Sequence, residues 1–331
     1  MEDFKKLFDA FSSLKVGVIG DVMLDTYMWG KVERISPEAP VPVVTLHHKE
    51  YRIGGAGNVA LNCQSLGADV TVLSVTGSDT EGFLLEELMT GNNIDASYLV
   101  KSTDRITTNK TRIIGRNQQM MRVDAEMTND LTAQNEKMLL DKVKAYISTD
   151  PDVMILEDYN KGVLTENIIQ KVIGICREAG VITAVDPKRK NFFSYKGVDI
   201  FKPNQKEVKD GLNMIFNEVN LSLLKNIHQE LQNMLQHKIT FITLSEKGVF
   251  YQQDAKSGIV ASHLRNIADV SGAGDTVIAV ASMVYAITKN VHLMAEVANI
   301  AGGLVCEEVG TVAINKEKLL QECELLLANS Q

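Results

Sequence analysis

Short apolar runs alternate with segments of helical period along almost the whole chain, and this alternation restricts the fold more than any other feature. Strands that alternate with helices are typical of α/β proteins with a largely parallel sheet. We therefore expect a layered α/β fold with such a sheet. The predicted core strands are 16–19, 70–75, 153–156, 181–185, 200–202 and 239–244. The predicted helices cover about 56–66, 80–91, 132–147, 165–178, 204–212, 218–236, 273–288, 291–306 and 315–328.

Two stretches, 26–53 and 97–124, interrupt this alternation. Both are rich in threonine, valine, tyrosine and isoleucine and lack helical period. Pro37, Pro40 and Pro42 exclude a helix from the first stretch. We expect strands outside the main sheet that pair into a small second sheet, either a lid over the site or an interface. Without a long linker or repeat, residues 1–331 are expected to form one domain.

Composition narrows the possible partners. The 42 acidic residues outnumber the 34 lysines and arginines, and the basic residues form no dense cluster, so we expect neither nucleic acid nor a membrane as partner. The most apolar run, 277–287, is too short and interrupted to span a bilayer, and the N-terminus lacks a signal-peptide pattern. The four cysteines form no C-x-x-C pair, which suits a reducing cytosol. A cytoplasmic protein is expected.

The residues 269–276, D-V-S-G-A-G-D-T, form a glycine-rich turn before an apolar helix. The first turn of a helix offers unpaired backbone N–H groups and a positive dipole end, so it holds phosphate oxygens well. There, Asp275 could take a proton from an attacking hydroxyl while the amides hold the charge on a transferred phosphoryl group. The alternative is a glycine turn in which Asp275 only complements the helix dipole.

A second glycine cluster occupies 54–60 and contains G-x-G-x-x-A, with Asp79 downstream. That spacing admits a dinucleotide fingerprint, and hence a nicotinamide- or flavin-dependent oxidoreductase. Such a fingerprint needs a hydrophobic strand running into the glycines, whereas the preceding residues 47–52 are mostly polar. We favour a backbone that approaches a small polyol closely, with Asn58 hydrogen-bonding its hydroxyls.

Polar residues follow several predicted strands. Asp21 and Asp25 follow the first strand, at the sheet edge where α/β proteins bind ligands, and carboxylates there suit sugar hydroxyls. Either residue could instead cap a turn. Asn204 and Glu207 fit a capping-box helix start, or a pair near magnesium and nucleotide phosphates. The segment 244–248 could form a wall of a nucleotide pocket or an ordinary β-turn.

Missing motifs exclude several enzyme classes. The chain has no G-x-x-x-x-G-K-[ST], so it is not a P-loop kinase, and it lacks the H-R-D and D-F-G pair of protein kinases. Its six histidines form no H-x-H, H-E-x-x-H or H-x-G-H, so neither a zinc site nor a nucleotidyltransferase of the H-x-G-H kind is supported.

Taken together, the glycine motif at 54–58, the signature at 269–275 and the N-x-x-E pair at 204–207 resemble the ribokinase-like (PfkB) sugar kinases over nearly the whole chain. Many members carry D-T-x-G-A-G-D where this chain has D-V-S-G-A-G-D, which leaves the chemistry unaffected. The run R-I-S-P-E-A-P-V-P-V at 34–43, after G-D-V-M-L-D-T-Y at 20–27, is similar to bacterial heptose 7-phosphate kinases of lipopolysaccharide core precursor synthesis. Residues 158–162 and 186–188 share that similarity.

This resemblance implies a three-layer α/β/α fold with a small β-sheet lid, formed by approximately 26–53 and 97–124. It implies ATP-dependent phosphorylation of the C1 hydroxyl of D-glycero-β-D-manno-heptose 7-phosphate, with Mg²⁺ and a monovalent cation such as K⁺. It also implies a homodimer formed through the lid. A kinase-only form would hand its product to a separate phosphatase and nucleotidyltransferase. The alternatives are a kinase for fructose 1-phosphate, 2-keto-3-deoxygluconate or another sugar, and a catalytically silent sugar sensor.

The resemblance also implies roles for individual residues. Asp275 would be the general base, and the anion hole would be formed by Gly272, Ala273 and Gly274. Sugar contacts would come from Asp21, Asp25, Gly54, Gly55 and Asn58. Nucleotide contacts would come from Asn204, Gln205, Lys206, Glu207, Ser245, Lys247, Gly248 and Asn299. Asn204 and Glu207 would hold magnesium through water, and Asp269 a monovalent cation. The cations expected to hold the 7-phosphate are Lys161, Lys188, Arg122 and Arg34.

Overall fold

The computed structural model describes residues 3–115, 118–216 and 218–327. Its main sheet has nine strands, numbered here in chain order. Seven are parallel, and the last two form an antiparallel hairpin at one edge. In spatial order they are β13 (Lys256–Val260), β12 (Val249–Gln253), β11 (Ile239–Thr243), β10 (Ile200–Phe201), β9 (Ile182–Asp186), β8 (Val153–Glu157), β1 (Lys15–Gly20), β4 (Asp69–Gly77) and β5 (Leu99–Ser102).

Helices cover both faces of this sheet, because the central strands are apolar on both sides. In β8, Val153 and Ile155 point into one apolar core, whereas Met154 and Leu156 point into the other. The first core is closed by α1 (Phe4–Ala10), α2 (Ala56–Ser65), α3 (Thr80–Gly91), α8 (Ala273–Thr288), α9 (Val291–Val305) and α10 (Lys316–Leu327). The second is closed by α4 (Ala133–Ile147), α5 (Glu166–Ala179), α6 (Gln205–Leu212) and α7 (Leu221–Leu235).

This arrangement confirms the predicted three-layer α/β/α fold. Each predicted helix corresponds to an observed one, although residue 328 of the predicted last helix lies outside the described residues. The hairpin of β12 and β13 was not predicted, because it is short and its second strand is partly exposed. Within the described residues, no helix is both long and apolar enough to cross a membrane.

A second sheet of four strands stands apart from the first. Its order is β3 (Pro42–Gly55), β2 (Val22–Ile35), β6 (Thr108–Gly115) and β7 (Gln118–Ala125). The pair β2 and β6 is parallel, and the other two pairs are antiparallel. The prediction of a small second sheet is therefore confirmed. Part of the stretch 97–124 behaves differently, because β5 joins the main sheet, and residues 116 and 117 lie outside the described residues.

The small sheet begins at the carboxyl edge of the main sheet. β2 starts directly after β1, and β3 runs directly into α2, with Val22 paired to Gly55. Its β2 strand is buried from Val22 to Tyr27 and becomes exposed farther out. The ends of β1, β8, β9 and β10 lie at this same edge, and contacts of Asn58 and Gly274 bring the first turns of α2 and α8 to it. The extent of the domain, 1–331, stays a prediction.

Candidate active site

Asp275 lies in the first turn of α8 and is buried, with 4% of its surface exposed. Gly272 precedes the helix with φ at 78°, a left-handed conformation that glycine adopts readily. The Oδ1 atom accepts a hydrogen bond from the Tyr159 hydroxyl, and Oδ2 accepts one from Asn58 Nδ2, both at 2.7 Å. Burial raises the pKa of Asp275 to about 6, despite these two donors. A carboxylate of this kind suits general-base chemistry near neutral pH.

The predicted anion hole, Gly272, Ala273 and Gly274, forms the turn into α8. The Ala273 N–H already donates to the Val270 carbonyl at 3.3 Å, so Gly272 and Gly274 remain the stronger candidates for an anion. A Cβ built on Gly274 would lie 3.4 Å from Asp186 and 3.8 Å from Lys202 Nζ. This turn therefore faces the charged residues at the ends of β9 and β10.

Asp21 forms hydrogen bonds with the backbone of residues 158–163, which we call the 158–163 loop. One carboxylate oxygen accepts the N–H groups of Tyr159 and Lys161 at 2.9 and 3.0 Å, and the other accepts that of Val163 at 3.0 Å. Burial, followed by the charge of Asp158, raises the pKa of Asp21 to about 6. Because backbone amides engage both oxygens, the observed contacts of Asp21 are structural, and its role in holding sugar stays a prediction.

The second glycine motif makes room for the aspartates of β1 and β2. A Cβ on Gly54 would lie 2.5 Å from an Asp25 carboxylate oxygen, and one on Gly55 would lie 2.3 Å from the Asp21 carbonyl. Asp25 itself forms a 2.5 Å ion pair with Arg112. The strand that leads into these glycines is β3 of the small sheet, so the motif lacks the main-sheet context of a dinucleotide fingerprint.

Asn58 lies in the first turn of α2, and its amide nitrogen bonds Asp275 across 217 residues of sequence. The Oδ1 atom of Asn58 is buried and has no hydrogen-bond partner within the chain as described. Buried polar groups are normally satisfied. This oxygen is therefore a candidate acceptor for a ligand hydroxyl, in keeping with the predicted sugar contact.

Charged side chains crowd the carboxyl ends of β8, β9 and β10. Oxygen atoms of Glu157, Asp186 and Asp275 lie within 4.8 Å of one another. Lys202 and Lys188 pair with Asp186 at 2.7 and 3.2 Å, and their charges outweigh burial, so that the pKa of Asp186 is lowered. Neither oxygen of Glu157 has a partner in the described chain, and burial holds its pKa well above the ordinary range. Sequence reasoning missed Glu157 and Lys202, although both stand at predicted strand ends.

The N-x-x-E pair forms a capping box at α6. Asn204 Oδ1 accepts the Glu207 N–H, and Glu207 Oε2 accepts the Asn204 N–H, both at 2.8 Å. The other Glu207 oxygen accepts from Lys188 at 2.9 Å. Gln205 and Lys206 follow in the same turn. The predicted capping box and the predicted role of these residues near a nucleotide are therefore compatible, because the box lies beside the charged side chains at the ends of β8, β9 and β10.

Other nucleotide candidates lie next to this helix start. Asn204 bridges to Thr243 at the end of β11, which leads into a 3-10 turn containing Ser245 and Lys247. Gly248 ends that turn with φ at 93° and packs against the Val260 carbonyl. Farther along, Asn299 of α9 donates to the Ala261 carbonyl at 2.8 Å.

Asp269, the residue predicted to hold a monovalent cation, accepts the Ser271 and Gly310 N–H groups at 3.0 and 2.9 Å.

The four predicted phosphate cations do not meet at one place. Lys161, in the 158–163 loop, pairs with Glu126 at 2.7 Å and is mostly buried. Lys188 lies between Asp186 and Glu207, at 3.2 and 2.9 Å, beside the start of α6. Arg122 pairs with Asp124 on exposed β7, and Arg34 lies near the outer end of β2.

Two cations that sequence reasoning missed join Lys161 instead. Arg105 donates to the Lys161 carbonyl at 2.6 Å. Burial, and next the Lys161 charge, lowers the pKa of Lys110. Lys161 and Arg105 line a small cleft together with Asp21, Thr76 and Thr107. Arg105 and Lys110 fall in the threonine-rich stretch 97–124, where composition indicates strands but gives no sign of a cation site.

Comparisons with known proteins agree with this geometry. The family described as pfkB family carbohydrate kinase matches residues 13–318. The bifunctional protein HldE of Geotalea uraniireducens is 36% identical over 323 residues, which cover 97% of this chain and 65% of that protein. HldE of Methylobacillus flagellatus is 39% identical over 307 residues, covering 93% and 62%. The chain therefore spans slightly less than two thirds of the length of these relatives.

Solved structures share the fold at low sequence identity. Phosphofructokinase-2 from Escherichia coli in complex with potassium superposes with a TM-score of 0.78 at 17% identity, covering 96% of this chain and 99% of that one. Arabidopsis thaliana ribokinase complexed with ribose and ATP superposes with a TM-score of 0.70 at 17% identity, covering 93% and 98%. From the family match and the HldE relatives, the chain belongs to the pfkB family of carbohydrate kinases.

Proposed function

We propose that this carbohydrate kinase transfers the γ-phosphoryl group of ATP to the C1 hydroxyl of D-glycero-β-D-manno-heptose 7-phosphate, giving the 1,7-bisphosphate. The observation that carries the reaction is Asp275, a buried carboxylate of raised pKa in the first turn of a helix. The HldE relatives and the stretch 34–43 support a heptose 7-phosphate as the acceptor.

The chemistry follows from this placement. Asp275 accepts the proton of the C1 hydroxyl as the hydroxyl oxygen attacks the γ-phosphorus of ATP and the bond from that phosphorus to the departing ADP breaks. The Gly272 and Gly274 amides and the positive end of α8 stabilise the charge that develops on the transferred group. Asn58 Oδ1, which has no hydrogen-bond partner within the described part of the chain, accepts a hydrogen bond from a sugar hydroxyl. Positioning and electrostatics supply most of the catalysis in phosphoryl transfer.

The 7-phosphate would lie at Lys161, Arg105 and Lys110. A buried phosphate dianion is costly unless cations and hydrogen-bond donors pair with it. Lys161 and Arg105 line one cleft, at the loop that also carries Tyr159. Because Lys188 is engaged by Asp186 and Glu207, we assign it to the nucleotide phosphates. Arg122 and Arg34 would contribute little, because they lie on the outer small sheet.

The charged cluster suits Mg²⁺. Four carboxylates, Glu157, Asp186, Glu207 and Asp275, face two lysines, Lys188 and Lys202, and among the described residues neither Glu157 oxygen has a hydrogen-bond partner. Oxygen ligands and excess negative charge fit a hard divalent cation. Glu207 and Asn204 would hold the ion through its water shell, and when bound it would neutralise the β- and γ-phosphate oxygens. Asp269 would order a monovalent cation such as K⁺.

The pH dependence of kcat/KM is expected to show the titration of Asp275. A general base works as the carboxylate, so activity should rise with pH through about 6 and then level off. Because a sugar phosphate itself titrates near pH 6, the profile should also be measured with the unphosphorylated heptose. A profile that stays flat from pH 5 to 8 with both sugars would contradict the assignment.

The substrate is tested by ADP release, in the presence of magnesium, across a panel. The panel contains heptose 7-phosphate, the unphosphorylated heptose, fructose 6-phosphate, fructose 1-phosphate, 2-keto-3-deoxygluconate and ribose. Turnover confined to heptose 7-phosphate is the expected result. Preference for another sugar would keep the kinase and reject the heptose assignment. A ³¹P spectrum of the product distinguishes C1 phosphorylation from transfer to another hydroxyl.

The proposal extends to assembly and pathway. The small sheet exposes Ile35, Val41, Leu46, Met121 and Val123, and this apolar surface supports a homodimer formed through the lid. Sedimentation that shows only monomer at micromolar concentration would rule the dimer out. A 1,7-bisphosphate must lose one phosphate and then receive a nucleotidyl group to become a nucleotide-activated heptose. Because ATP is the donor, we assign the reaction to the cytoplasm.

A further inference from the structure

We infer that Arg265 is a positioning residue for ATP: it holds residues 261–272, which we call the 261–272 segment, against α9 and α10, so that the segment is ordered before the nucleotide binds. This inference rests on the proposed nucleotide site and not on the identity of the sugar. The segment connects β13 to α8 and ends in the glycine turn before Asp275. It therefore extends from the predicted wall of the nucleotide pocket to the predicted anion hole.

The 261–272 segment has little structure of its own. Its described residues form neither a helix nor a strand. The large apolar side chains of Leu264, Ile267 and Val270 are exposed. A stretch of backbone with few buried contacts opens locally at low free energy. The contacts that attach the segment to the rest of the protein therefore decide whether it is ordered.

Arg265 makes the strongest of these contacts. Its guanidinium donates to Glu307, just after α9, at 3.0 Å and to Glu322 of α10 at 2.6 Å, and 8% of the side chain is exposed. A Cβ built on Gly303 of α9 would lie 2.8 Å from the Arg265 Nε atom, so the glycine leaves room for the guanidinium. Hydrogen bonds between charged groups are stronger than neutral ones. One side chain thus fastens the middle of the segment to two helical regions.

The first end of the segment contacts residues that we assign to the nucleotide. The Ala261 carbonyl accepts a hydrogen bond from the Asn299 side chain at 2.8 Å. The Ser262 hydroxyl donates to the Glu246 carbonyl, within the 3-10 turn that contains Ser245 and Lys247. A displacement of the segment would therefore disturb this side of the nucleotide pocket.

The other end leads into the glycine turn. The N–H groups of Ala268 and Asp269 donate to the Cys306 carbonyl at 2.8 and 3.2 Å, one residue before Glu307. Without Arg265, these amides and the contacts of the first end would hold the segment. The nucleotide would then have to order the segment on binding, and that ordering lowers its affinity.

The test is the affinity of the Arg265→Met variant for the magnesium complex of adenylyl imidodiphosphate, a non-hydrolysable ATP analogue. Methionine keeps an unbranched apolar side chain and removes the five donors. The dissociation constant should rise about 10-fold, because a protein with about a tenth of its molecules in the competent state binds that much more weakly. The KM for the sugar should stay unchanged. Isothermal titration measures the affinity without turnover.

Hydrogen exchange distinguishes positioning from a general effect on stability. In the Arg265→Met variant without nucleotide, the amides of the 261–272 segment should exchange faster than in the wild type, whereas those of the core strands should not. The ATP analogue should restore the protection. Faster exchange throughout the chain, with no difference at the segment, would contradict the inference.

Lys318→Met is the matched control. Lys318 of α10 pairs with the same Glu307 at 2.8 Å but belongs to a different element from the segment. This variant should bind the analogue as the wild type does. If Arg265→Met fails to fold, Glu322→Gln removes the charge of one acceptor and leaves the bond to Glu307. The dissociation constant and the exchange of the segment should then rise in the same direction by less.

The outcomes separate this inference from the proposed function. Unchanged affinity for the analogue in folded Arg265→Met, or in Glu322→Gln where the first variant does not fold, would overturn the positioning role. An equal loss of affinity in Lys318→Met would also overturn it. A wild type that binds the analogue but does not phosphorylate heptose 7-phosphate would reject the proposed substrate and leave the inference intact. A wild type that does not bind the analogue would reject both.

Discussion

Replacing Asp275 with asparagine is expected to lower kcat at least ~10²-fold, in line with the contribution of a general base. Asparagine has nearly the same shape and can still accept one of the two hydrogen bonds from Tyr159 and Asn58. It cannot take a proton from the sugar. ADP release at saturating sugar and ATP measures the loss directly.

The fold should survive this change. The substitution removes a charge that burial disfavours, so the melting temperature at neutral pH should not fall, and ATP should bind with unchanged affinity. Asp199→Asn is a suitable control, because Asp199 bonds Thr183 between strands away from the site. That control should lose stability and retain kcat. Near-normal turnover in Asp275→Asn would exclude Asp275 as the base.

Lys161→Ala is expected to raise the KM for heptose 7-phosphate by about 10- to 100-fold, because a hydrogen bond to a charged group contributes about 1.5–3 kcal/mol. Lys161 lies in the cleft with Arg105 and is largely buried. The KM for ATP should change little, since Lys161 pairs with Glu126, whereas Lys188, which we assign to the nucleotide, pairs with Asp186 and Glu207. Initial rates with each substrate varied in turn give both constants.

Two comparisons sharpen this prediction. With the unphosphorylated heptose, the Lys161→Ala variant and the wild type should have similar KM values, because no phosphate is present to lose its partner. Lys190→Ala is the matched control, since Lys190 pairs with Asp130 on the exposed surface. Equal changes in the KM of sugar and ATP would refute the phosphate assignment and indicate a wider disturbance, such as release of Glu126.

The fold could be predicted largely from periodicity. The core strands are buried on both faces, so each is a continuous apolar run, and the intervening helices carry a clear apolar stripe. Two features escaped prediction for physical reasons. β5 lies in a stretch whose other strands form the small sheet, and β-propensity does not indicate which sheet a strand joins. The β12–β13 hairpin lies at an edge, where burial is weaker.

Parts of the site were predictable where one short segment of sequence contains both the turn and the residues that act there. The glycine turn before Asp275 and the box of Asn204 and Glu207 are of this kind. Contacts between distant segments were not predictable. Asn58 was predicted to bind hydroxyls, yet its amide nitrogen bonds Asp275. Arg105 joins Lys161 only because the connection from β5 of the main sheet to β6 of the small sheet passes the 158–163 loop that follows β8.

The buried carboxyls of Asp21 and Asp275 affect the heat resistance of the protein as well as its chemistry. Each has a pKa of about 6 in the folded chain, against an ordinary 3.8. Between about pH 4 and 6 the folded protein therefore retains protons that the unfolded chain releases, so this contribution to stability is complete in acid and is lost as the pH rises through 6. Catalysis needs the opposite protonation state of Asp275. These two groups thus shift the pH of greatest heat resistance below the pH of greatest turnover.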